Sequence, residues 1–370
     1  MRARPHPLCK GGGMNRMDTS PSPLRVGLLG FGLAGSVFHA PLIATTPGLA
    51  LDTVVTSDPE RCERAREAGA PGDEVRTLPS ADDLFADPDG LDLVVVATPN
   101  RTHVRLAHHA LDAGLPVVVD KPLAPTAAEA RELAAKAEAK GLLLAPFQNR
   151  RWDNDFLTLR SLLAEDALGE VHRFESRFER WRPLPKGGWR ESGDPQEVGG
   201  LLYDLGSHLV DQALTLFGPA ASVYAEADVR RPGAEADDDT FIALTHESGV
   251  HSHLWMSATA SRLGPRFRVL GSRAGYVKYG LDPQETALRE GARPAEGAPW
   301  GVEPQGAWGT LGALEDTRAV PTLDGDYPAF YDAIATALRE GTPPPVTAHE
   351  AAAALQVLET ARSFTRARTS

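Results

Sequence analysis

The chain has 370 residues, enough to bury a large core and to form two domains. Its 38 Lys and Arg residues against 50 Asp and Glu residues give a formal net charge of −12. This balance disfavours nucleic acid and anionic membrane surfaces as partners, because both reward clustered cations.

Cysteine usage and the N-terminal residues bear on cellular location. Cys9 and Cys62 lie in no C-x-x-C or metal-ligand pattern, so we predict neither a disulfide framework nor a metal site, and a cytoplasmic location. No apolar run reaches the ~18 residues needed to span a bilayer. Residues 1–22 are basic and lack the apolar core of a signal peptide, so we expect a disordered leader, with Met14 or Met17 as alternative translation starts.

A glycine fingerprint follows the first apolar stretch, Leu24–Leu29, and leads into a helical segment. The G-x-G-x-x-G spacing between a strand and a helix permits a tight turn, a close approach to a pyrophosphate, and close helix–strand contact. A glycine-rich turn without a ligand is the alternative, but the βα alternation that follows favours dinucleotide binding. The predicted cofactor residues of this turn are Gly30, Phe31, Gly32, Leu33 and Gly35.

Strands alternate with helices at short spacing through the first half of the chain. This predicts a doubly wound parallel sheet, and hence an N-terminal NAD(P)-binding Rossmann domain over residues 23–146. The predicted strands lie at 24–29, 50–56, 91–97, 115–119 and 142–147, with a helix at 126–140.

The carboxyl ends of these strands border the expected ligand crevice. Thr56 and Ser57 leave room for a 2′-phosphate that Arg61 or Arg64 could pair with, which favours NADP over NAD. The alternative is that Asp58 only caps the next helix and the arginines are solvated. Further cofactor candidates follow the later strands: Thr98, Pro99, Asn100 (or a plain helix cap), His103, Asp120 and Lys121.

The second half of the chain predicts an α+β domain with an open, mainly antiparallel sheet over residues 147–346. Residues 281–325, rich in Gly, Pro and Ala, are predicted to form a long loop, and a helix at 347–365, within a C-terminal segment of residues 347–370, is expected to return to the first domain. The predicted strands lie at 171–181, 222–230, 239–247, 250–259, 266–271 and 274–279.

One helix interrupts these strands and carries Asp204 and His208. Residues four apart share a helix face, and a carboxylate beside an imidazole orients it and favours the imidazolium, as in a general acid/base. The alternative is a helix start with a capping Asp and a half-buried His.

Taken together, these motifs resemble the Gfo/Idh/MocA oxidoreductases, which join a Rossmann domain to an open antiparallel-sheet domain. The resemblance is carried by G-F-G-L-A-G at 30–35, T-P-N at 98–100 with His103, D-K-P at 120–122, N-R-R at 149–151 and D-L-G-S-H at 204–208. Within the family, the chain is most similar to NADP-dependent scyllo-inositol 2-dehydrogenases, through residues 36–42, 150–156, 189–191 and 278–280. It departs from relatives at Asp120, where they usually carry Glu, and at Asp58, where some members carry Arg.

The resemblance implies an NAD(P)-dependent dehydrogenase that oxidises a secondary hydroxyl of a cyclic polyol or sugar. Its catalytic residues would be Lys121, Asp204 and His208, with His208 as base, Asp204 orienting it and Lys121 stabilising negative charge on the oxygen. A cis Lys121–Pro122 bond and a homodimer or homotetramer formed through the open sheet are also implied. The implied substrate-side residues are Asn149, Arg151, Trp152 and Asp153.

Two other functions are compatible with the same fold. Some relatives cleave glycosides through transient oxidation or reduce other carbonyls, and one sugar-regulon repressor similar to the family binds NAD(P) without catalysis. Retention of the Lys, Asp and His set argues against a regulator, which does not need an acid/base group.

Overall fold

A computed structural model of the protein describes residues 22–194, 197–295 and 297–366. The predicted leader, residues 1–22, lies outside this described part except for its last residue. A six-stranded parallel sheet is followed by an eight-stranded, mostly antiparallel sheet with helices, which confirms the predicted fold class.

The first sheet has the strand order β3-β2-β1-β4-β5-β6, and all its strands are parallel. From β1 the strand order runs one way to β2 and β3 and the other way to β4, β5 and β6. This reversal of strand order opens a crevice at the carboxyl ends of β1 and β4. The four residues of β4 are fully buried, as expected for a strand covered on both faces. The strands are β1 Leu24–Leu29, β2 Leu49–Val55, β3 Arg76–Leu78, β4 Leu93–Val96, β5 Val117–Asp120 and β6 Leu144–Phe147.

Helices cover both faces of this sheet, and three of them begin after an Asp, Ser or Thr, residue types that favour the N-cap position. The side chains of Asp58, Ser80 and Thr126 each accept a backbone N–H bond from the first turn of the helix that follows. The helical segments are a π-helical turn Ala34–His39, α1 Ala40–Thr45, α2 Pro59–Arg66, α3 Ala81–Ala86, α4 His103–Asp112 and α5 Ala127–Lys140.

The second sheet has the order β14-β13-β12-β11-β7-β10-β9-β8, in which β7 and β10 are parallel and the other pairs antiparallel. Its strands are β7 Val171–Glu179, β8 Ala220–Asp228, β9 Asp239–His246, β10 His251–Ser257, β11 Phe267–Gly271, β12 Gly275–Lys278, β13 Gly309–Ala313 and β14 Asp316–Val320. The remaining helices are α6 Asn154–Ala164, α7 Leu201–Asp204, α8 Gly206–Phe217, α9 Gln284–Arg289, α10 Pro328–Glu340 and α11 Ala348–Arg366.

The prediction of a long loop at 281–325 is wrong, because this segment contains α9, β13 and β14. β14 is the edge strand of the sheet and β13 lies next to it, and most of their side chains are exposed or partly exposed, with Leu311 and Val320 as the buried apolar residues. Strands with so few buried residues lack the apolar alternation that identifies a strand in a sequence.

The two C-terminal helices join the sheets. Phe330, Tyr331 and Ile334 of α10 are fully buried against the first sheet, in one apolar cluster with β1, β2 and α1. Helix α11 contacts α5 and β6 on one side and β8 and α8 on the other. Among the described residues, no helix is long and apolar enough to cross a membrane.

Candidate active site

The glycine turn after β1 leaves room for a ligand. Gly30 has φ +94°, and a Cβ there would lie 2.7 Å from the carbonyl oxygen of Ala97 at the end of β4. A Cβ on Gly35 would collide with the Gly30 carbonyl oxygen, so these two glycines are required by the fold itself. A Cβ on Gly32 would meet no atom within 4 Å. A dinucleotide pyrophosphate fits this open space, where the fingerprint predicts it.

The loops after β4 and β5 are tied together below the crevice. His103 is buried, and its two ring nitrogens contact the carbonyl oxygens of Pro122 (2.8 Å) and Thr98 (2.9 Å). Asn100 is also buried and donates to the backbone oxygen of Glu197 in the second half of the chain (3.2 Å). The geometry gives both residues a role in shaping the crevice wall. The peptide bond between Lys121 and Pro122 is cis, as the resemblance implied.

A cavity of about 350 Å³ lies at the carboxyl ends of β2 and β3, where the adenosine end of a dinucleotide binds in this fold. Thr56 and Ser57 line it. The arginine that lines this cavity is Arg66. The two arginines predicted to meet a 2′-phosphate contact other side chains: Arg61 lies 3.6 Å from the Asp58 carboxylate, and Arg64 lies over the ring of Phe31, 6.0 Å from its centre.

The predicted contact between Asp204 and His208 does not form, because the helix is interrupted at Leu205. Helix α7 ends at Asp204, and the His208 backbone N–H donates to the Leu205 carbonyl oxygen (3.1 Å). In a continuous helix this N–H would have bonded to the Asp204 carbonyl. That carbonyl instead accepts a bond from Lys121 Nζ (2.6 Å), and Asp204 Oδ1 accepts a second one (3.0 Å). Because of the helix break, the Lys121 ammonium has two hydrogen-bond acceptors on Asp204, the backbone carbonyl and the side-chain carboxylate.

His208 is held by a different residue, Gln148. Its Nδ1–H donates to Gln148 Oε1 (3.1 Å), so that Nε2 carries the lone pair and has no partner among the described residues. Burial lowers the pKa of His208 well below its usual value, and the nearby charges of Lys121, Arg150 and Arg266 lower it further. The imidazole is therefore neutral at pH 7, a proton acceptor and not the imidazolium expected from a carboxylate neighbour.

Asp204 is ionised across the physiological range. Burial would raise its pKa, but Lys121, and beyond it Arg190 and Arg180, lower the pKa to about 2. The Lys121–Asp204 pair is therefore an ammonium–carboxylate contact joining the first sheet to the helical segment of the second half.

The residues expected on the substrate side divide into two groups. The Arg151 guanidinium is fully engaged, with two bonds to Asp211 (2.8 and 2.7 Å) and one to Glu350 of α11 (2.9 Å). Asp153 is buried and accepts a bond from the Tyr327 hydroxyl (2.7 Å), with Arg150 3.4 Å away. Both side chains are thus held by partners within the protein, with Arg151 using three of its five N–H donors, and their contact with a substrate stays a prediction.

Asn149 and Trp152 keep groups that a substrate could meet. The Asn149 amide and the Trp152 indole N–H make no hydrogen bond with the described residues, and the Trp152 ring lies edge-on to Phe330 (5.6 Å between ring centres). Gln148, which the sequence reasoning missed, directly follows β6 as Lys121 follows β5. The position of Gln148 directly after a buried strand is the feature of the sequence from which its role could have been predicted.

Comparison with known proteins agrees with this architecture. A family model described as an oxidoreductase family with an NAD-binding Rossmann fold matches residues 24–147, and a model of the GFO/IDH/MocA C-terminal domain matches residues 156–277. The uncharacterised oxidoreductase YdgJ of Escherichia coli is 44% identical over 342 residues, covering 91% of this chain and 94% of YdgJ.

Two further comparisons, one with a curated protein and one with a solved structure, both from Bacillus subtilis, also cover nearly the whole chain. IolW, named scyllo-inositol 2-dehydrogenase (NADP(+)), is 36% identical over 354 residues, covering 94% of each protein. The structure of yvaA superposes with a TM-score of 0.85 at 33% identity, over 94% of this chain and 98% of that chain. With this coverage and the two domain matches, the chain belongs to the Gfo/Idh/MocA family and is an oxidoreductase with an NAD-binding Rossmann domain.

Proposed function

We propose that the protein is an NADP-dependent dehydrogenase that oxidises a secondary hydroxyl of a cyclic polyol or sugar. The observation that carries the proposal is the meeting of Lys121 and His208 at one crevice. They come from the first sheet and from α8, 87 positions apart by number (208 − 121). Lys121 Nζ nonetheless bonds the Asp204 carbonyl oxygen (2.6 Å), and Asp204 ends the short helix α7 four residues before His208 in the first turn of α8.

His208 is suited to remove the hydroxyl proton. Its Nε2 lone pair is free of partners among the described residues, and the Gln148 carbonyl oxygen fixes the tautomer from the other side of the ring. A neutral imidazole accepts the proton without first losing one, and a positioned base of this kind typically contributes ~10²–10⁴-fold to a rate. The bound nicotinamide supplies the hydride acceptor.

Lys121 stabilises the negative charge that develops on the substrate oxygen as the proton leaves. Asp204 holds the ammonium at two points, through its carbonyl and its carboxylate (2.6 and 3.0 Å). A charge held in place before the reaction stabilises the transition state without reorganisation. Asp204 is thus a positioning residue for Lys121, a different role from the one that the spacing to His208 suggested.

The substrate class is supported by the polar character of the site and by one relative. The free amide of Asn149 and indole N–H of Trp152 suit a molecule rich in hydroxyl groups, because a site that bonds hydroxyls rejects analogues lacking them. IolW, 36% identical, is named for action on scyllo-inositol with NADP. A polyol or sugar ring is the substrate class that both observations favour.

The NADP preference rests on the end of β2. Thr56 and Ser57 stand where an acidic residue would bind the ribose of NAD, Arg66 lines the same cavity, and Arg61 and Arg64 lie on the same helix as Arg66. Arg61 is already paired with the Asp58 carboxylate (3.6 Å), so it would have to leave that carboxylate in order to bind the 2′-phosphate.

Initial rates over a panel of inositols and hexoses, each with NADP⁺ and NAD⁺, test the proposal. We expect reduced cofactor to form with at least one cyclic polyol or sugar, faster with NADP⁺. Absence of turnover with every member and both cofactors would overturn it. Release of free sugar from a glycoside without net change in reduced cofactor would instead indicate a glycosidase.

We also propose a homodimer or homotetramer formed through the open face of the second sheet. Phe241, His253 and Trp255 lie side by side on this face, and the Arg177 guanidinium stacks 4.0 Å from the Trp255 ring centre. Light scattering on the purified protein would determine the state, and Trp255→Glu is expected to convert the oligomer to monomer.

A further inference from the structure

Positive charge is concentrated beside Asp204 although the chain as a whole carries a net charge of −12. Lys121 Nζ lies 3.0 Å from the Asp204 carboxylate, Arg190 Nε lies 3.8 Å from it, and Arg180 also acts on it electrostatically. Lys121 and Arg190 thus lie within 4 Å of this one carboxylate, and Arg180 adds positive charge without contacting it. The local balance is therefore the reverse of the overall charge.

Arg180 is the cation that the mechanism does not use. It directly follows β7, and its backbone N–H donates to the Ser257 carbonyl oxygen (2.9 Å). Its side chain is partly buried, but its guanidinium has neither a hydrogen bond nor an ion pair with the described residues. Burial lowers its pKa, Arg182 and Arg150 lower it further, and Asp204 and Glu285 oppose this only in part.

The nearby carboxylates are already engaged elsewhere. Glu285 accepts bonds from Arg150 (2.5 Å) and Arg289 (2.9 Å), and Asp204 is held by Lys121. A half-buried guanidinium without a partner is costly unless a ligand supplies the missing acceptors.

We propose that Arg180 binds an anionic group of the substrate, so that the substrate is a polyol or sugar bearing a carboxylate or a phosphate. This inference rests on the proposed dehydrogenase function and narrows its substrate class. A guanidinium matches either oxyanion with two parallel hydrogen bonds. The anion would lie beside the Lys121–Asp204 pair and orient the ring relative to His208.

The test compares substrates that share one ring and differ in charge. kcat/KM with NADP⁺ is measured for D-glucose, D-glucuronate and D-glucose 6-phosphate, and for myo-inositol and its 1-phosphate. We expect an anionic member to exceed its neutral counterpart by at least about tenfold, the worth of one charge-assisted pair. The comparison of carboxylate with phosphate identifies which oxyanion the site takes.

Two variants assign the preference to Arg180. Arg180→Gln is expected to reduce the ratio of anionic to neutral kcat/KM by about ten- to hundredfold, mainly through KM, and Arg180→Lys to retain part of it. Arg182→Gln removes the same charge from an exposed side chain two positions away and is expected to leave the ratio unchanged.

Neutral polyols that react as well as their anionic counterparts would overturn the inference and leave the proposed function intact. The inference also fails if Arg180→Gln lowers both classes equally while Arg180→Lys restores neither. Absence of turnover with every compound and both cofactors would overturn the proposed function itself.

Discussion

The most informative perturbation of the site is Gln148→Glu, because it places a negative charge next to His208 at the loss of one long hydrogen bond, from Gln148 Nε2 to the Ser207 carbonyl oxygen (3.4 Å). The new carboxylate would occupy the position of an amide that lies 3.1 Å from Nδ1. An opposite charge within ~4–6 Å shifts a pKa by about one to three pH units, here upward, because it favours the imidazolium. The wild-type pKa of His208 is lowered well below 6.5, so that the proton acceptor persists in mildly acidic solution.

The assay is kcat/KM for alcohol oxidation measured from pH 5 to 9. In the wild type we expect a plateau that extends below pH 6 and then falls as His208 becomes protonated. In Gln148→Glu the acidic fall should move up by about one to three pH units, with the plateau rate at high pH nearly retained. Gln148→Leu, a control of similar size, removes the acceptor that fixes the tautomer and should lower kcat about ten- to hundredfold, a part of the ~10²–10⁴ that a base supplies.

If Gln148→Glu leaves the acidic fall where it was while the protein folds and binds cofactor normally, His208 is not the group that titrates. The base would then have to be sought elsewhere in the crevice.

Three further substitutions test other parts of the reasoning. Lys121→Met should lower kcat by about 10²–10³ while cofactor affinity, measured by fluorescence titration, stays near normal; comparable turnover would remove the ammonium from the mechanism. Ser57→Glu should shift the ratio of kcat/KM for NADP⁺ and NAD⁺ about ten- to hundredfold toward NAD⁺, because the carboxylate repels a 2′-phosphate and accepts ribose hydroxyls. Arg151→Leu leaves Asp211 buried and unpaired and should lower the free energy of unfolding, measured by urea titration, by about 3–5 kcal/mol. As a control, Arg66→Leu changes a solvent-exposed ion pair and should leave the urea midpoint of unfolding unchanged.

Local features of the fold could be read from the sequence, because short-range physics determines them. The glycine turn, the capping residues Asp58 and Thr126, and the buried run of β4 each depend on neighbouring residues alone. Helix α10 was missed although it carried a Pro at its start and Gly341 at its left-handed end, the usual signals of a helix boundary.

Contacts between distant residues were not accessible in this way. The spacing of Asp204 and His208 predicted a pair on one helix face, but the helix is interrupted at Leu205, directly before the Gly206–Ser207 pair, a combination at which helices often kink. The partners that replace it, Lys121 and Gln148, lie 83 and 60 positions away from the groups that they contact. Residue types could therefore be selected from the sequence, whereas their pairing depended on how two sheets meet.

The helix interruption explains why both halves of the chain are needed for one site. It exposes the Asp204 carbonyl to Lys121 and lets Gly206 approach α11, where a Cβ would lie 3.2 Å from Leu358 Cδ2. The same helix α11 carries Glu350, which holds Arg151 beside α8. Because α11 also packs against α5 and β6 of the first domain, it connects the domain that carries Lys121 with the helix that carries His208. We therefore expect the proposed catalytic geometry to depend on packing against α11.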